Sequence, residues 1–495
     1  MNNSISKLFY PAVVILYFST RLVNLKIIPI FTDEAIYSYW AQVALNDPAN
    51  RFISLEDGKQ PLFIWIAAIL QKFIHDPLVA TRLVSVFSGF GSLIGLYLLT
   101  KELFNEKVAK IATVLYVILP FTLLYDRLAV FDSLLTMLGI YAVLISVRLI
   151  RELKLDLAII NGFSIGLAMI TKSSGNFFLY LLPFSIILFN FEKKNITRRL
   201  IKWTGLLIIT FILTQIIYNA LRLSPLFYII AIKNISFIRT FTEVLQRPTE
   251  HLLSNFKAIT GWIITYVSPL LFIVFLTSLF YGFRKRERSV IYLSIVIFVP
   301  FIAEVIFNKI LYARFVLFYF PYIIVLIAYF IGITFSKYPK FKKQLIIIFA
   351  FILLFPVFTS YRLITNPPEA HIPENDKSQY LNDWPAGYGV QEVVNIIKQE
   401  SQNKDVYIGT EGTFGLFPYS LNIYFYGNPR VHVIGYWPVN SNELPGQITD
   451  FAKNNKTYFI FNFTQQDITN SRLKFVAKYQ KGTGNSFMRL YEVVS

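Results

Sequence analysis

Four short polar motifs interrupt an otherwise apolar sequence, and they carry its chemically active side chains. Thr32-Asp33-Glu34 sets two carboxylates directly before a helix-like stretch, Glu34 to Leu45. Asp57-Gly58-Lys59-Gln60-Pro61 precedes a short apolar run, and Asp126-Arg127 with Asp132 places three charges between two long ones. Thr171-Lys172-Ser173-Ser174-Gly175 adds an ammonium group, and Arg222, Lys233, Arg239 and Arg314 follow in later connections. Each motif also has a purely structural use. Carboxylates cap and favour helix N-termini, Pro61 suits a first helical turn, Arg127 and Asp132 can bridge, and lysines can snorkel to headgroups. His251 stands alone, as most structural histidines do, and metal ligation is its functional alternative. Taken together, the set offers acids able to act as a general base toward a hydroxyl, plus cations able to hold an anionic phosphate leaving group.

The surrounding sequence decides where such groups must sit. The chain has 495 residues, of which 55% are hydrophobic and only 15% charged, against roughly 25% charged in soluble domains. Its apolar runs approach the ~20 residues needed to cross a bilayer. They fall at about 8–25, 78–100, 108–125, 133–150, 157–171, 177–190, 200–221, 259–281, 289–307, 315–335 and 344–360, about eleven spans. The first run holds Arg21 and has no small-residue cleavage site after it, so it reads as a retained span rather than a signal peptide. Pro61 to Ile74 is apolar but too short to span, which fits an interfacial or re-entrant helix, as does Glu34 to Leu45.

The net charge of +18 could suggest nucleic acid, but its distribution argues against that. From Tyr361 onward there are 12 basic and 12 acidic residues, so the whole excess lies in the apolar part. It gathers in every second loop: Lys101, Lys107 and Lys110; Arg148, Arg151 and Lys154; Lys193, Lys194, Arg198 and Arg199; Arg284, Lys285, Arg286 and Arg288; Lys337, Lys340, Lys342 and Lys343. By the positive-inside rule these loops and the N-terminus are cytoplasmic. The four polar motifs and the C-terminal region then share the extracytoplasmic side. The absence of cysteine excludes disulfides, iron–sulfur clusters and thiolate zinc sites.

After Asn366-Pro367-Pro368 the composition turns polar. A helical pattern at Val390 to Gln399 is followed by β-rich runs at Val406 to Ile408, Val431 to Ile434, Tyr458 to Phe463 and Phe487 to Val494. The expected architecture is an α-helical polytopic membrane domain over 1–360, with juxtamembrane helices on its outer face, and a small extracytoplasmic α/β domain over 361–495.

Several of these residues also carry a family resemblance. Asp33-Glu34-Ala35-x-Tyr37 after the first span, Gly58-Lys59-Gln60-Pro61-Leu62 with Trp65, Arg82-Leu83-x-Ser85, Arg127-x-Ala129 with Asp132, and Thr171-Lys172 resemble the GT-C glycosyltransferases of the protein mannosyltransferase and aminoarabinose transferase type (family 39-like). The likeness is carried by about the first 180 residues. It departs from the pattern at Gln60, where Pro is usual, and at Gly58, where the aminoarabinose transferases carry an acid.

The resemblance implies an inverting transferase that moves a sugar from a polyprenyl-phosphate-linked donor to a lipid, glycan or protein acceptor at the extracytoplasmic membrane face. Asp33 would be the catalytic base, with Glu34 in support. Lys59, Arg82 and Arg127 would line the substrate pocket, Asp132 would belong to a second acidic site, and Lys172 and Arg314 would hold the donor phosphate. A divalent metal would have Asp33, Asp57 and His251 as candidate ligands, and the resemblance alone points to a bacterial plasma membrane. No Gly-rich nucleotide loop occurs, in keeping with a lipid-phosphate donor. The competing classes are a lipid-linked glycan transporter or flippase, for which paired halves would be expected, and a non-catalytic membrane scaffold.

Overall fold

The computed structural model describes residues 3–192 and 194–494, with side chains described from Leu8 onward. Lys193 of the third basic cluster lies outside the described residues. The chain divides into two compact units, one formed by Met1–Val23, Phe52–Phe63 and Val84–Arg362, the other by Asn24–Arg51, Ile64–Leu83 and Leu363–Ser495. Residues 24–51 and 64–83 therefore pack with the C-terminal region, although they fall within the 1–360 stretch of the sequence reading.

The first unit is helical. Among the described residues six helices are long and apolar enough to cross a membrane, or up to eight if two bent pairs each count as one span. The bends sit at prolines, which remove a backbone donor and clash with the preceding turn. Glu106–Ile118 and Pro120–Arg127 meet at 59°. Leu252–Val267 and Pro269–Arg284 meet at 109°, with Ser268 between them at φ +84°. The single straight span expected at 259–281 is thus two helices. The expected spans at 157–171 and 177–190 are shorter elements: a 15-residue helix, Leu155–Met169, and a run of short helical turns from Ser173 to Leu188.

Close packing in this unit follows from small residues at helical spacing. Gly162 and Gly166 lie one turn apart on Leu155–Met169 and face the helix Ile196–Asn219. A Cβ at Gly162 would come within 2.7 Å of the Leu213 side chain, and one at Gly166 within 2.8 Å of Ile217. The two backbones approach closely enough for Thr210 and Thr214 hydroxyls to donate across to the carbonyls of Ala158 (3.1 Å) and Gly162 (3.2 Å). Small-residue contacts with interhelical hydrogen bonds are how helices associate where lipid supplies no hydrophobic drive.

The second unit is built on a five-stranded sheet in the order β2-β1-β3-β5-β4, with β1 Val406–Glu411, β2 Val431–Tyr436, β3 Lys456–Phe461, β4 Leu473–Gln480 and β5 Phe487–Val493. β1 is parallel to β2 and β3, and β5 runs antiparallel to β3 and β4. Alternation along β3 builds both faces. Tyr458 and Ile460 join Val393, Val394, Ile397 and Leu421 on one side. Phe459 and Phe461 join Ile448 and Tyr491 on the other.

Four of the strands match the β-rich runs of the sequence. β4 was not among them because it is an edge strand whose exposed positions carry Lys474 and Lys478, so its alternation is weak. The helix Thr32–Asn46 lies against the helix Leu416–Phe425 in this same unit. Gln42 donates to the Ile423 carbonyl at 2.8 Å, and the Tyr39 and Tyr419 rings stack at 4.6 Å.

Candidate functional site

In the second unit the chemistry centres on the start of the helix Thr32–Asn46. Phe31 is extended (φ −116°, ψ 172°), so the helix begins at Thr32 and puts Asp33 and Glu34 in its first turn, where the helix dipole favours negative charge. The adjacent carboxylates have different environments. Glu34 is fully buried and takes a forked pair of bonds from Arg82, Nε at 2.7 Å and Nη2 at 2.6 Å, plus the Phe31 amide at 3.3 Å. Arg82 places its remaining donors on the carbonyls of Leu25 (2.6 Å) and Pro29 (3.2 Å). A bidentate, desolvated pair of this kind fixes geometry. Asp33 stays partly exposed. Next to it the Thr32 amide donates to the Pro385 carbonyl at 3.1 Å, so the helix start is tied to the segment that leads into the sheet.

In the first unit a second cluster forms around Lys172, which follows the helix Leu155–Met169. Its ammonium donates to Asp132 at 2.6 Å and lies 4.1 Å from the Phe315 ring centre. Asp132 is buried in the first turn of the helix Phe131–Glu152, while the Lys172 side chain keeps 20% of its surface exposed. Burial holds the Lys172 ammonium below the ordinary lysine range, with Asp132 opposing that shift and Arg314 adding to it. Arg314 is itself buried, its guanidinium 4.9 Å from the Tyr312 ring. Glu304, near the end of the helix Arg288–Phe307, accepts from the Tyr319 hydroxyl at 2.8 Å and lies within electrostatic reach of Lys172.

The neighbouring Ser173 hydroxyl receives Gln60 Nε2 at 2.7 Å and donates to Asn234 at 3.1 Å. Asp57 is paired with Lys233, and Lys59 lies 4.9 Å from the Phe237 ring centre. Cations, the carboxylates of Asp57, Asp132 and Glu304, and amides thus gather from six separate stretches of sequence, and the lysines and Arg314 among them are groups able to hold an anionic phosphate.

Arg127 lies elsewhere in the first unit. Its Nη1 donates to the carbonyls of Thr20 (2.8 Å), Arg21 (3.1 Å) and Val23 (2.8 Å), satisfying the carbonyl end of the helix Asn3–Leu22. Its neighbour Asp126 is buried against Arg21 (3.4 Å) and the Tyr17 and Tyr116 hydroxyls (3.3 and 3.4 Å). These contacts brace helix ends. Asp132, grouped with Arg127 in the sequence, is bonded to Lys172 at 2.6 Å.

The candidate metal ligands do not form a donor set. Asp57 is engaged by Lys233, and His251 precedes the helix Leu252–Val267, its carbonyl accepting from Ser254 (2.9 Å) and Asn255 (2.8 Å). Among the described residues no three His, Asp or Glu side chains come together as a metal site would require.

Sequence reasoning passed over Glu304, Tyr319, Ser173 as a hydrogen-bonding centre, and Asn234. The available signal was Glu304 itself, an acid inside a 20-residue apolar helix, where ionisable groups are costly and usually functional.

The family described as Dolichyl-phosphate-mannose-protein mannosyltransferase matches residues 58–218. No curated protein sequence matches the chain significantly. The fold is that of three solved glycosyltransferases. ArnT from Cupriavidus metallidurans bound to undecaprenyl phosphate is 13% identical with a TM-score of 0.59, the alignment covering 100% of this chain and 99% of that one. Archaeal oligosaccharyltransferase AglB from Archaeoglobus fulgidus, in complex with an inhibitory peptide and a dolichol-phosphate, is 12% identical with a TM-score of 0.54, covering 93% and 70%. Arabinofuranosyltransferase AftD from Mycobacteria is 12% identical with a TM-score of 0.51, covering 100% of this chain and 40% of that one. The family match lies within the part of the chain that carries the polar motifs, and the likeness of fold extends over the whole chain.

Proposed function

We propose that this protein is an integral membrane glycosyltransferase that moves a sugar from a polyprenyl-phosphate-linked donor to a lipid, glycan or protein acceptor at the extracytoplasmic face. The reading is supported above all by the match along the full length of both chains to a transferase fold that holds undecaprenyl phosphate. Asp33 takes the proton from the attacking hydroxyl or amine, and the acceptor atom bonds to the anomeric carbon as the bond to the lipid phosphate breaks. Glu34 and Arg82 act as positioning residues that hold the helix start in register beneath Asp33. Lys172 and Arg314 bind the donor phosphate and stabilise the charge that grows on it as the bond breaks. Asp132 orients Lys172, and Lys59 adds positive charge beside Gln60. Arg127 supports the first helix. No step is routed through a metal: among the described residues no three His, Asp or Glu side chains come together, and Asp57 is paired with Lys233.

The test is transfer from a panel of radiolabelled polyprenyl-phosphate sugars to membrane acceptors, with wild type and Asp33→Asn at matched expression. Loss of a general base is expected to slow transfer by about 10²–10⁴-fold. Equal rates in the two proteins would remove Asp33 from the mechanism.

A further inference from the structure

In the second unit three aromatic rings stand exposed at the carboxyl ends of the parallel strands. Trp384, Phe463 and Trp437 keep 40%, 38% and 60% of their surface in solvent. Trp384 and Phe463 have ring centres 4.9 Å apart at 36°, and Trp437 and Phe463 are 5.4 Å apart at 64°, so the three make a curved step with Phe463 in the middle. Exposed large rings are ordinary one at a time, but a contiguous set marks a binding surface. The location points the same way. The chain runs from β1 to β2 on one side and returns to β3 on the other, and ligands of parallel sheets settle beyond the strand ends at such a switch.

The step is held from below by buried charge. Glu411, the last residue of β1, is 3% exposed and takes the amides of Asn462 (2.8 Å), Phe463 (2.6 Å) and Thr464 (2.9 Å), which fixes the turn that carries Phe463. Lys481 is fully buried and donates to the Trp384 carbonyl at 2.9 Å and to the Asn462 side chain. Burying a carboxylate and an amine costs several kcal/mol before pairing. Spending them on surface turns makes sense where the rings above must keep a set geometry.

Charge selects the occupant. The rim segments 383–389, 411–415, 437–440 and 462–466 contain no lysine or arginine, in a chain whose net charge is +18. Their polar side chains turned to solvent are Thr413, Asn440 and Gln466, while those of Asp383, Asn462, Thr464 and Gln465, like the buried Glu411, are bonded within the protein. The nearest cations, Lys481 and Arg489, are buried and spent on the carbonyls of Trp384, Thr464 and Gln466, so the rim presents no exposed lysine or arginine to a phosphate and leaves amides and a hydroxyl for neutral hydroxyls. Aromatic faces flanked by those groups suit the C–H faces of pyranose rings.

From these observations we infer that the Trp384–Phe463–Trp437 step binds the sugar rings of a neutral acceptor glycan. The assignment rests on the transferase reading, and one bond connects the two. Pro385, next to Trp384, accepts from the amide of Thr32, the residue before Asp33. A glycan held on the step is held by the body that carries the proposed base.

The experiment uses the full chain in nanodiscs and titrates tryptophan fluorescence with manno-, gluco- and galacto-configured neutral tetrasaccharides. At least one is expected to give a saturable change. Trp437→Ala and Phe463→Ala are each expected to weaken it by about tenfold, as for the loss of one aromatic contact, while Trp437→Phe retains most of it. Asp33→Asn is expected to bind the sugar unchanged, so loss of transfer with intact binding separates the base from the platform. Binding by a chain that transfers no sugar would overturn the transferase reading and leave the glycan site standing. No saturable response to any tetrasaccharide, or quenching of Trp437 by brominated lipid acyl chains, would overturn the glycan site and make the step a membrane-facing surface.

Discussion

Glu34–Arg82 and Lys172–Asp132 are both ion pairs at 2.6 Å, yet they do opposite things with their charge. In the first, both side chains are 0% exposed and the guanidinium is shared among a carboxylate and two carbonyls. In the second, the ammonium keeps a fifth of its side chain open and has Arg314 as a like-charged neighbour. A closed pair in low dielectric contributes mainly positional precision, because the desolvation cost offsets most of the attraction. An open pair with a second cation beside it has donors that an anion can reach. In the proposed mechanism the buried couple accordingly positions the helix start, and the more accessible one is assigned to the donor phosphate.

The sharpest way to break this contrast is to remove one partner of the closed pair. Arg82→Ala leaves Glu34 buried and uncompensated, and should destabilise the protein by about 3–5 kcal/mol. Thermal unfolding and protease resistance in detergent would show it. The double variant Glu34→Gln, Arg82→Leu should recover much of that stability, and a result as poor as the single change would mean that the pair does more than hold shape.

The same double neutralisation at the open pair should behave differently. Asp132→Asn with Lys172→Gln is expected to fold but to raise the donor KM by roughly 10- to 100-fold, the worth of about 1.5–3 kcal/mol for a bond to a charged group. An unchanged KM would return Lys172 to a structural role.

A pH series refines that second prediction. Burial lowers the Lys172 pKa, so its ammonium is lost at a lower pH than that of an ordinary lysine, and donor affinity should fall as pH rises through that point. Lys172→Arg keeps its charge and should lose this alkaline limb in KM against pH.

A pH effect on stability instead of donor binding is expected at Lys481, which burial holds at about 7. An unfolded lysine titrates near ~10.4, so between those values the unfolded state binds the extra proton and stability rises with pH. Below that window both states are protonated and the slope vanishes. Hydrogen exchange across 456–493 in the full chain should show a gain of at most about 1.4 kcal/mol per pH unit from pH 7 upward, and Lys481→Met should flatten it.

Much of this was legible in residue order. Hydropathy and loop charge identified a polytopic helical protein with a C-terminal α/β region, and four of the five strands announced themselves by β-rich runs. Asp33, Lys172 and Arg314 were singled out because charge next to long apolar stretches is expensive. The bend at Ser268 had a signal in Pro269, but hydropathy alone missed it because the 109° turn involves no loss of apolar character. Glu304 was visible as an acid in an apolar helix, but its relation to Lys172, more than a hundred residues away, was not legible.

The sequence by itself determined the solvent of each region and the inventory of charges, because transfer free energies act residue by residue and apolar periodicity is local. Only the tertiary structure decided which charges are consumed. Asp33 and Glu34 are neighbours of one chemical type, and nothing in their order says which one pairs with Arg82. That was settled by Arg82, brought in by a separate helix and oriented by the carbonyls of Leu25 and Pro29. The same holds for Trp384, Trp437 and Phe463, which are scattered over 80 positions and become one surface because parallel β2 and β3 deliver Trp437 and Phe463 to the same edge of the sheet and Asn462 and Lys481 tie Trp384 beside them.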